Sequence, residues 1–237
     1  LSASDYVIDF TPSYLAIEKA HLSVIAQAKT KVYGQVDPAL TFVTSGWQLG
    51  DTEALLSGNL ARATGQHVGS YGINVGSLAA ADYVIDFTGA QLAIEKADLV
   101  VVAHAKIKQY GTTDSALTFT ATGFVYSDSA ASLVGALSRV SGEHVGGYSI
   151  ELGSLSSGDY NIAFTPSVLT ITPATLTVVA HSKSKVYGSN DPAFTFDAAG
   201  FAFNETASVL SGALGRAAGN SVGTYAINQG SLAGSDY

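Results

Sequence analysis

The chain has 237 residues and a formal net charge of −8 at pH 7. It contains no cysteine, which excludes disulfide scaffolds, thiol nucleophiles and thiolate metal sites. Because 11 basic residues stand against 19 acidic ones, there is no large basic surface, and we expect no nucleic-acid partner. The longest strictly apolar run, 99–103, is far shorter than the roughly 18 residues that cross a bilayer, so we expect no membrane insertion.

The same residue pairs return along the chain at a fixed interval. Tyr-Gly occurs at 33–34, 110–111 and 187–188, and Asp-Tyr occurs at 5–6, 82–83, 159–160 and 236–237. A fixed interval of this kind indicates tandem repeats of one module. A module of about 77 residues can bury one modest core, so we predict three small domains rather than one.

Each repeat is predicted to begin with strands. In the first repeat, apolar residues alternate with others from position 22 to position 28, which predicts a half-buried strand. A second alternating stretch at 40–42 follows the Tyr-Gly turn. Between Asp51 and Leu56 a capping residue precedes small residues, so we predict at most one short helix, a single turn, per repeat.

The second half of each repeat is predicted to consist of strands. In the first repeat these lie at 60–62 and 69–73, and a hairpin through Thr88-Gly89 joins 83–87 to 92–94. Six or seven short strands with at most one short helix predict a mainly β fold.

No loop separates one repeat from the next. Apolar residues occupy even positions at Leu92 and Ile94 but odd positions from Leu99 onward. The buried face therefore changes sides while the chain stays extended, which we interpret as the passage from one core to the next. Joints this short restrict hinge motion, so we expect an elongated rod.

The phase of the repeats has two solutions. The first gives repeat 1 at 20–96, repeat 2 at 97–173 and repeat 3 at 174–237. In this phase residues 1–19 are the terminal hairpin of a preceding repeat, and repeat 3 lacks its final strand hairpin. The alternative phase gives three complete repeats at 1–77, 78–154 and 155–231.

The repeated pattern resembles a known family. It consists of Val32-Tyr33-Gly34, Asp37-Pro38-Ala-Leu-Thr-Phe42, Gly58-Asn-Leu60-Ala-Arg62, Val68-Gly69-Ser-Tyr71-Gly-Ile73, Gly76-Ser-Leu78, Asp82-Tyr83 and Leu92-x-Ile94. In this combination, which covers essentially the whole chain, the sequence resembles MBG domains of the Tyr-Gly-X type, named for their similarity to mucin-binding repeats. Repeat 2 departs from the pattern at Gln109 and Ser115.

The resemblance implies β-grasp-like repeats, with Ig-like β-sandwich repeats as the alternative fold. Such domains occur in tandem in large bacterial surface adhesins, including filamentous-haemagglutinin-like proteins. The resemblance therefore implies an extracellular location at the bacterial cell surface, and it transfers no catalytic residue. A segment without Cys or Met is what we expect from the interior of such an exported protein.

One aromatic position recurs after a glycine. Trp47 is the single Trp, and Phe124 and Phe201 take its place in the other repeats. An aromatic side chain there either covers the edge of the core or stacks on sugars. We therefore name these three residues as candidate glycan or surface contacts. Burial would favour a spacer, and an exposed row would favour glycan binding.

The N-terminal segment provides a second candidate. In the phase that begins at residue 20, repeat 3 has an unpaired sheet edge and the N-terminal hairpin has no core of its own. We hypothesise head-to-tail strand complementation between molecules, which leads to self-assembly. The residues that would enter the open repeat are Val7, Ile8, Phe10, Leu15 and Ile17.

Titratable residues do not predict a catalytic centre. Histidines fall at different positions in different repeats, whereas a metal or a general base needs its groups in one place. Recurrent acids at Asp37, Asp51 and Asp82 leave calcium as an alternative to turn and cap chemistry. A Lys to Asn or Asp amide bond would need a recurrent acidic helper, and Glu53, Glu143 and Glu151 do not recur. We expect no enzymatic activity and no cofactor.

Two functions remain as hypotheses. In the first, the repeats are a structural stalk that projects the binding tip of a secreted bacterial adhesin. In the alternative, the repeats themselves bind host or matrix glycans, including mucin-type glycans, with weak multivalent contacts that mediate adhesion or attachment to a biofilm matrix.

Overall fold

The computed structural model describes residues 5–237. Within these residues the elements are strands and single 3-10 turns, without an α-helix. No helix long and apolar enough to cross a membrane occurs in this part of the chain. The chain divides into two compact units, one ending at Ala97 and one running from Asp98 to Tyr237. The second unit contains repeats 2 and 3.

The strands recur from repeat to repeat. In the described residues of repeat 1 they are β1 (Ala20–Ala26), β2 (Lys29–Val32), β3 (Phe42–Ser45), β4 (Ala61–Arg62), β5 (Gly69–Asn74), β6 (Tyr83–Thr88) and β7 (Ala90–Glu95). In repeat 2 they are β8 (Ala97–Ala103), β9 (Lys106–Gln109), β10 (Phe119–Thr122), β11 (Ser138–Arg139), β12 (Gly146–Glu151), β13 (Tyr160–Thr165) and β14 (Ser167–Thr172). In repeat 3 they are β15 (Thr177–Ala180), β16 (Phe196–Ala199), β17 (Gly215–Arg216) and β18 (Ile227–Asn228).

One 3-10 turn lies in each repeat, at Glu53–Leu55, Ala130–Ser132 and Ala207–Val209. The expectation of mainly β repeats with at most one short helix each is therefore confirmed. Each turn is preceded by a cap residue, and the Ser129 hydroxyl accepts a hydrogen bond from the Ala131 N–H. None of the residues in these three turns is buried, so the turns add nothing to the cores of the repeats.

Each complete repeat consists of two small sheets. In repeat 1 the strand orders are β3-β1-β6 and β2-β7-β5-β4. Strand β1 pairs antiparallel with β3 and parallel with β6. Strand β7 pairs parallel with β2 and antiparallel with β5. The chain thus changes sheet between β1 and β2, and again between β6 and β7.

This topology corrects the predicted hairpin between 83–87 and 92–94. Strands β6 and β7 lie in different sheets, and each pairs with an earlier strand of the repeat. Alternation shows which face of a strand is buried, but it does not show which strand is its neighbour. Residues 5–19, predicted to be the corresponding hairpin, are exposed and have no strand assignment. Residues 1–4 of that predicted segment lie outside the described residues.

The buried face of the chain alternates as the sequence predicts. Leu92 and Ile94 of β7 are buried, and so are Leu99 and Val101 of β8, so the buried positions change from even to odd at the joint. In repeat 1 one core cluster forms around Leu22, Val24, Leu78 and Tyr83, and a second forms around Ala26, Ile73 and Leu92.

Repeat 3 has an incomplete pair of sheets. Among the described residues, no strand takes the places that β13 and β14 hold in repeat 2. Residues 183–186, which match β9 in sequence position, are not in a strand, because a short strand without a partner lacks ladder hydrogen bonds. The side chains that would face the absent strands are consequently exposed.

Candidate functional site

An ion cluster lies beside the Tyr-Gly turn. The Lys108 Nζ is 2.6 Å from Asp114 Oδ1 and 2.5 Å from Glu143 Oε2, and the Arg139 guanidinium contacts both carboxylates. Hydrogen bonds from Arg139 and then from Lys108 lower the pKa of Asp114. Burial opposes the charge on Lys108, yet hydrogen bonds to Asp114 and Glu143 raise its pKa.

These directions bear on the Lys to Asp amide considered from the sequence. Amide formation needs an uncharged amine and a protonated carboxyl group, whereas the cluster stabilises the charged form of each. The geometry therefore favours an ion pair that fastens the turn to the sheet. The equivalent pairs in the other repeats are Lys31–Asp37 at 2.7 Å, Arg62–Asp37 at 2.6 Å, Lys185–Asp191 at 2.6 Å and Arg216–Asp191 at 2.6 Å.

The arginine of this cluster also builds a corner with a tyrosine and a glycine. The Arg139 Cζ lies 5.4 Å from the centre of the Tyr148 ring, and its Nη1 donates to the Gly142 carbonyl at 2.6 Å. Gly142 has φ +149°, and a Cβ on it would overlap the Tyr148 ring. The same corner recurs as Arg62–Tyr71–Gly65 and Arg216–Tyr225–Gly219.

The candidate aromatic residues pack inside their own repeats. Trp47 is half-buried against the cluster that contains Leu22 and Tyr83, with its ring edge-on to Tyr83 at 5.1 Å. Its Nε1 donates to Thr44 Oγ1 at 3.0 Å. Phe124 and Phe201 are also half-buried. They lie edge-on to Tyr160 and Tyr237 at 5.6 and 5.7 Å.

Each of these tyrosines binds an acid that the sequence assigns to capping. The Tyr83 hydroxyl donates to Asp51 at 2.7 Å, and the Tyr160 hydroxyl donates to Asp128 at 2.6 Å. The Tyr237 hydroxyl likewise donates to Glu205. The recurrent acid therefore anchors the aromatic pair, while Ser129 and Thr206 cap the 3-10 turns of repeats 2 and 3.

Repeats 2 and 3 meet at the Tyr-Gly turn of repeat 2. Tyr110 is only 4% exposed, and its ring lies edge-on to Phe203 at 5.3 Å and to Tyr237 at 5.5 Å. Its hydroxyl donates to Glu205 Oε1 at 2.8 Å, so Glu205 joins a tyrosine from each repeat. Gly111 leaves room for the approach of Ala202, which a Cβ would overlap.

A second contact closes the same joint. Asp236, 7% exposed, accepts from the Val145 N–H at 2.7 Å and lies 2.8 Å from His144 Nδ1. Burial opposes the Asp236 charge, but hydrogen bonds from Val145 and then His144 lower its pKa. The hydrogen bond to Asp236 raises the pKa of His144. We name the contacts of Tyr110, His144 and Val145 with Phe203, Glu205 and Asp236 the aromatic joint.

Sequence reasoning identified none of these contacts between repeats, and Phe203 shows why. Phe203 has φ +49°, and the equivalent residues Leu49 and Tyr126 have φ +55° and +53°. A positive φ is costly for a bulky residue and marks a functional constraint. In repeat 3 this conformation presents the Phe203 ring to Tyr110. The available signal was an apolar residue that recurs two positions after Trp47, Phe124 and Phe201.

One protein family model matches each of the three repeats. The family model described as MBG domain (YGX type) matches residues 22–93, 99–170 and 176–237. The chain belongs to the MBG domain (YGX type) family. The predicted resemblance is therefore confirmed. No curated protein and no solved structure matches the chain.

The Tyr-Gly pair that gives this MBG type its name lies at the aromatic joint in repeat 2. Its counterpart in the third MBG repeat has no such neighbour among the described residues. Tyr187 is 74% exposed, and a Cβ on Gly188 would meet nothing within 4 Å. In repeat 2 the pair therefore makes the contact with the repeat that follows.

Two grooves lie in the third MBG repeat where repeat 2 has its last two strands. Residues equivalent to β9 and β12, including Lys185, Tyr187 and Tyr225, line the first groove. Residues equivalent to β8, including Leu176 and Val178, line the second groove. The two grooves share Ala180 and Ile227 in their linings, and we name them together the open edge.

The candidate complementation residues of the N-terminal segment are exposed. Ile8 is 47% exposed, and the exposed fractions of the other four are much larger: Val7 99%, Phe10 73%, Leu15 88% and Ile17 90%.

Among the described residues, no group of three or more His, Asp or Glu side chains is placed to hold a metal ion.

Proposed function

We propose that this chain is a set of stalk repeats from a secreted bacterial adhesin, with a structural rather than a catalytic role and an extracellular location at the cell surface. MBG repeats in tandem indicate a repeat-containing surface or adhesin-like protein. The observation that carries the stalk proposal is the aromatic joint. Tyr110, almost fully buried, fixes repeat 3 against repeat 2 through Phe203 and Glu205.

A stalk must keep its repeats in a fixed order and orientation, and a buried joint without a linker supports that requirement. Strand β14 ends at Thr172, and the Ala174 N–H already donates to the Asp236 carbonyl of repeat 3 at 2.9 Å. Only one residue therefore lies between the last ladder of repeat 2 and the first bond of repeat 3.

Small-angle scattering tests the stalk directly. A compact sphere of 237 residues would have a radius of gyration of about 18 Å. We expect a clearly larger radius, with a distance distribution that has a long tail. A radius near the compact value would overturn the proposal. Substituting Tyr110→Ala, with Tyr187→Ala as the matched control, should broaden that distribution only in the first variant.

Glycan binding is the competing function, and the packing of the three candidate aromatic residues favours the stalk instead. Trp47, Phe124 and Phe201 each pack edge-on against a tyrosine of their own repeat, whereas sugar-stacking residues need a free face. A glycan array with the full chain separates the two functions. No binding supports the spacer, and binding that Trp47→Ala abolishes supports recognition of host or matrix glycans.

A further inference from the structure

We propose that strand β10 of repeat 2 pairs, edge to edge and antiparallel, with β10 of a second copy, so that two chains associate side by side. The inference goes beyond the stalk proposal, because it concerns contacts between chains rather than the order of repeats within one chain. The occupant is a second copy of this chain, and the two-fold axis of the pair passes beside Thr120.

Strand β10 lies at an edge of its sheet. The strand order is β10-β8-β13, so β10 pairs with β8 on one side and, among the described residues, with no strand on the other. The His104 N–H donates to the Thr118 carbonyl, and Thr120 follows at the same parity of the ladder. Alternate residues of an antiparallel strand bond to the same neighbour, so the backbone groups of Phe119 and Ala121 point away from β8. We name these outward groups the free edge.

The other three sheet edges of repeat 2 carry features that oppose pairing between chains. Strand β9 contains Lys106, and β11 is only two residues long. Strand β13 is followed directly by Pro166, after which the chain enters the other sheet. Lysine, proline and very short strands all protect an edge from other chains. Residues 115–127, which include β10, contain neither a charged residue nor a proline.

The equivalent edge strands of repeats 1 and 3 have a carboxylate. In repeat 3, β16 carries Asp197 at the position of Thr120, and the Asp197 side chain is 84% exposed. In repeat 1, Thr44 Oγ1 of β3 donates to the Glu53 carboxylate at 2.9 Å. Repeat 2 has Ala130 in place of this glutamate. A charge beside an edge strand would have to lose its water when another strand paired there, which opposes pairing.

A proline completes the difference between the repeats. Pro38 precedes β3 and Pro192 precedes β16, whereas Ser115 stands at this position in repeat 2. Proline has no N–H to donate to a neighbouring strand. Repeats 1 and 3 thus each combine a carboxylate with a proline at this edge, and repeat 2 has neither.

The free edge is complementary to itself. In an antiparallel pair centred on Thr120, Phe119 of each copy would exchange hydrogen bonds with Ala121 of the other, which places a large side chain beside a small one. The two Thr120 side chains would face each other, and Thr–Thr pairs stabilise a sheet. Because each chain has a net charge of −8, two copies repel one another, and an uncharged edge is where they can approach. The two three-stranded sheets would then form one continuous sheet.

Sedimentation of the full chain over a range of concentrations tests the association. We expect a monomer–dimer equilibrium that stops at the dimer, because a two-fold contact uses the same edge of both copies. The double variant Ser115→Pro, Thr120→Asp gives β10 the residues that repeat 3 has at these positions. It should weaken dimerisation by about tenfold or more, since two carboxylates would then face each other across the axis.

The double variant should keep the fold of the single chain. Repeat 3 has Pro192 and Asp197 at the two positions and still forms β16. The Thr120 hydroxyl lies 2.6 Å from His104 Nε2, and Asp197 lies 2.9 Å from Nε2 of the equivalent His181. The aspartate therefore keeps the contact with the histidine, and circular dichroism should give the spectrum of the parent chain.

A matched control places the same charge on the opposite edge strand of the same sheet. Ala163 of β13 is exposed, and repeat 1 has Asp86 at this position. Ala163→Asp should therefore fold and dimerise like the parent chain. Weakening as large as that of the double variant would show that the charge acts at any position on the sheet.

Cross-linking tests the register. The chain has no cysteine, so Thr120→Cys introduces one thiol that would face its own counterpart across the axis. The spacing of such a non-hydrogen-bonded pair suits a disulfide, and we expect a linked dimer under oxidising conditions. Thr118→Cys, which would face Thr122 of the other copy, should give markedly less.

Each outcome supports or overturns the inference. A dimer that is weakened in the double variant but not in Ala163→Asp, and that is cross-linked through Thr120→Cys, supports it. A single species at all concentrations, undiminished association in the double variant, equal weakening in the control, equal cross-linking of both cysteine variants, or growth beyond the dimer would each overturn it. Scattering from the double variant, which should be a single chain, tests the stalk proposal separately.

Discussion

Repeats 2 and 3 share most of their recurring residues, yet the exposure of those residues differs between the two repeats. Tyr110 is 4% exposed and Tyr187 is 74% exposed, although each precedes a glycine in the same turn. The Lys108 side chain is 5% exposed and that of Lys185 is 30% exposed. The differing positions are those that face the last two strands of the repeat or the repeat that follows.

The stacking of an arginine on a tyrosine is the same in both repeats. The Arg139–Tyr148 and Arg216–Tyr225 stacks have ring distances of 5.4 and 5.3 Å. These corners form from residues close in sequence, so they do not need the final strands. A locally built corner is therefore present in repeat 3, whereas the rest of the repeat depends on long-range pairing.

The largest expected loss of stability comes from a substitution in the core of repeat 2, on the strand that pairs with β13. Leu99→Ala should destabilise repeat 2 by about 2–5 kcal/mol, because Leu99 is fully buried and leaves a cavity. The matched change Leu176→Ala, at a half-buried position, should cost about 1 kcal/mol. Hydrogen exchange read by mass spectrometry reports each repeat separately. Equal losses in the two repeats would contradict the comparison.

The next largest loss of stability is expected on removal of the buried charge of Lys108. Lys108→Met removes the buried charge that contacts Asp114 and Glu143 and should cost about 2–3 kcal/mol, since the two carboxylates then share Arg139 alone. Lys185→Met should change stability little, because the Lys185 side chain is itself 30% exposed. Urea unfolding followed by exchange in each repeat checks the difference, and a large loss at Lys185 would refute it.

The shared corner should respond alike in both repeats. Gly142→Ala and Gly219→Ala each place a methyl group against a tyrosine ring at a positive φ, and each should cost about 1–3 kcal/mol. Circular dichroism melts with per-repeat exchange measure both. If Gly219→Ala proved harmless while Gly142→Ala did not, the corner would depend on the final strands after all.

The smallest effect is the pH dependence of the aromatic joint. The pKa of His144 is raised by Asp236, so its contribution is complete below about 6.5 and is lost as pH rises through the raised pKa. The pKa of Asp236 is lowered, so its contribution is present above 3.8 and is lost as pH falls through the lowered pKa. The joint should therefore be most stable between these limits.

Asp236→Asn is the control for that titration. It removes the partner of His144 while keeping a side chain that accepts a hydrogen bond. An NMR titration of the His144 ring should show its pKa fall in the variant. An unchanged pKa would mean that Asp236 does not hold the histidine in solution.

Much of this fold follows from the sequence. The interval of the Tyr-Gly pairs predicts the repeats, and alternation predicts which side chains are buried, as Leu99 and Val101 show. The partners of β6 and β7 could not be predicted, because alternation is a property of one strand. Strand β6 pairs with residues more than 50 positions away, such as Leu22 opposite Ile85, and β7 pairs with both β2 and β5.

The candidate site was predicted in part. The N-terminal residues could be aligned with buried strands because the repeats supply their own comparison. The sequence assigns the acid at this position, Asp51 in repeat 1, to helix capping, yet in repeat 3 Glu205 joins Tyr110 to Tyr237. A carboxylate that binds two hydroxyl groups from different repeats leaves no local signature, since its partners are 95 and 32 positions away.

The parallel pairing of the first and last strands has a mechanical consequence. Strands β1 and β6 run side by side in the same direction, and so do β2 and β7. A pull that separates Ala20 from Glu95 would load both ladders along their length, so that several hydrogen bonds must break together rather than one by one. Forced unfolding depends on the barrier to that step. Repeat 1 would therefore resist such a pull in a shear geometry.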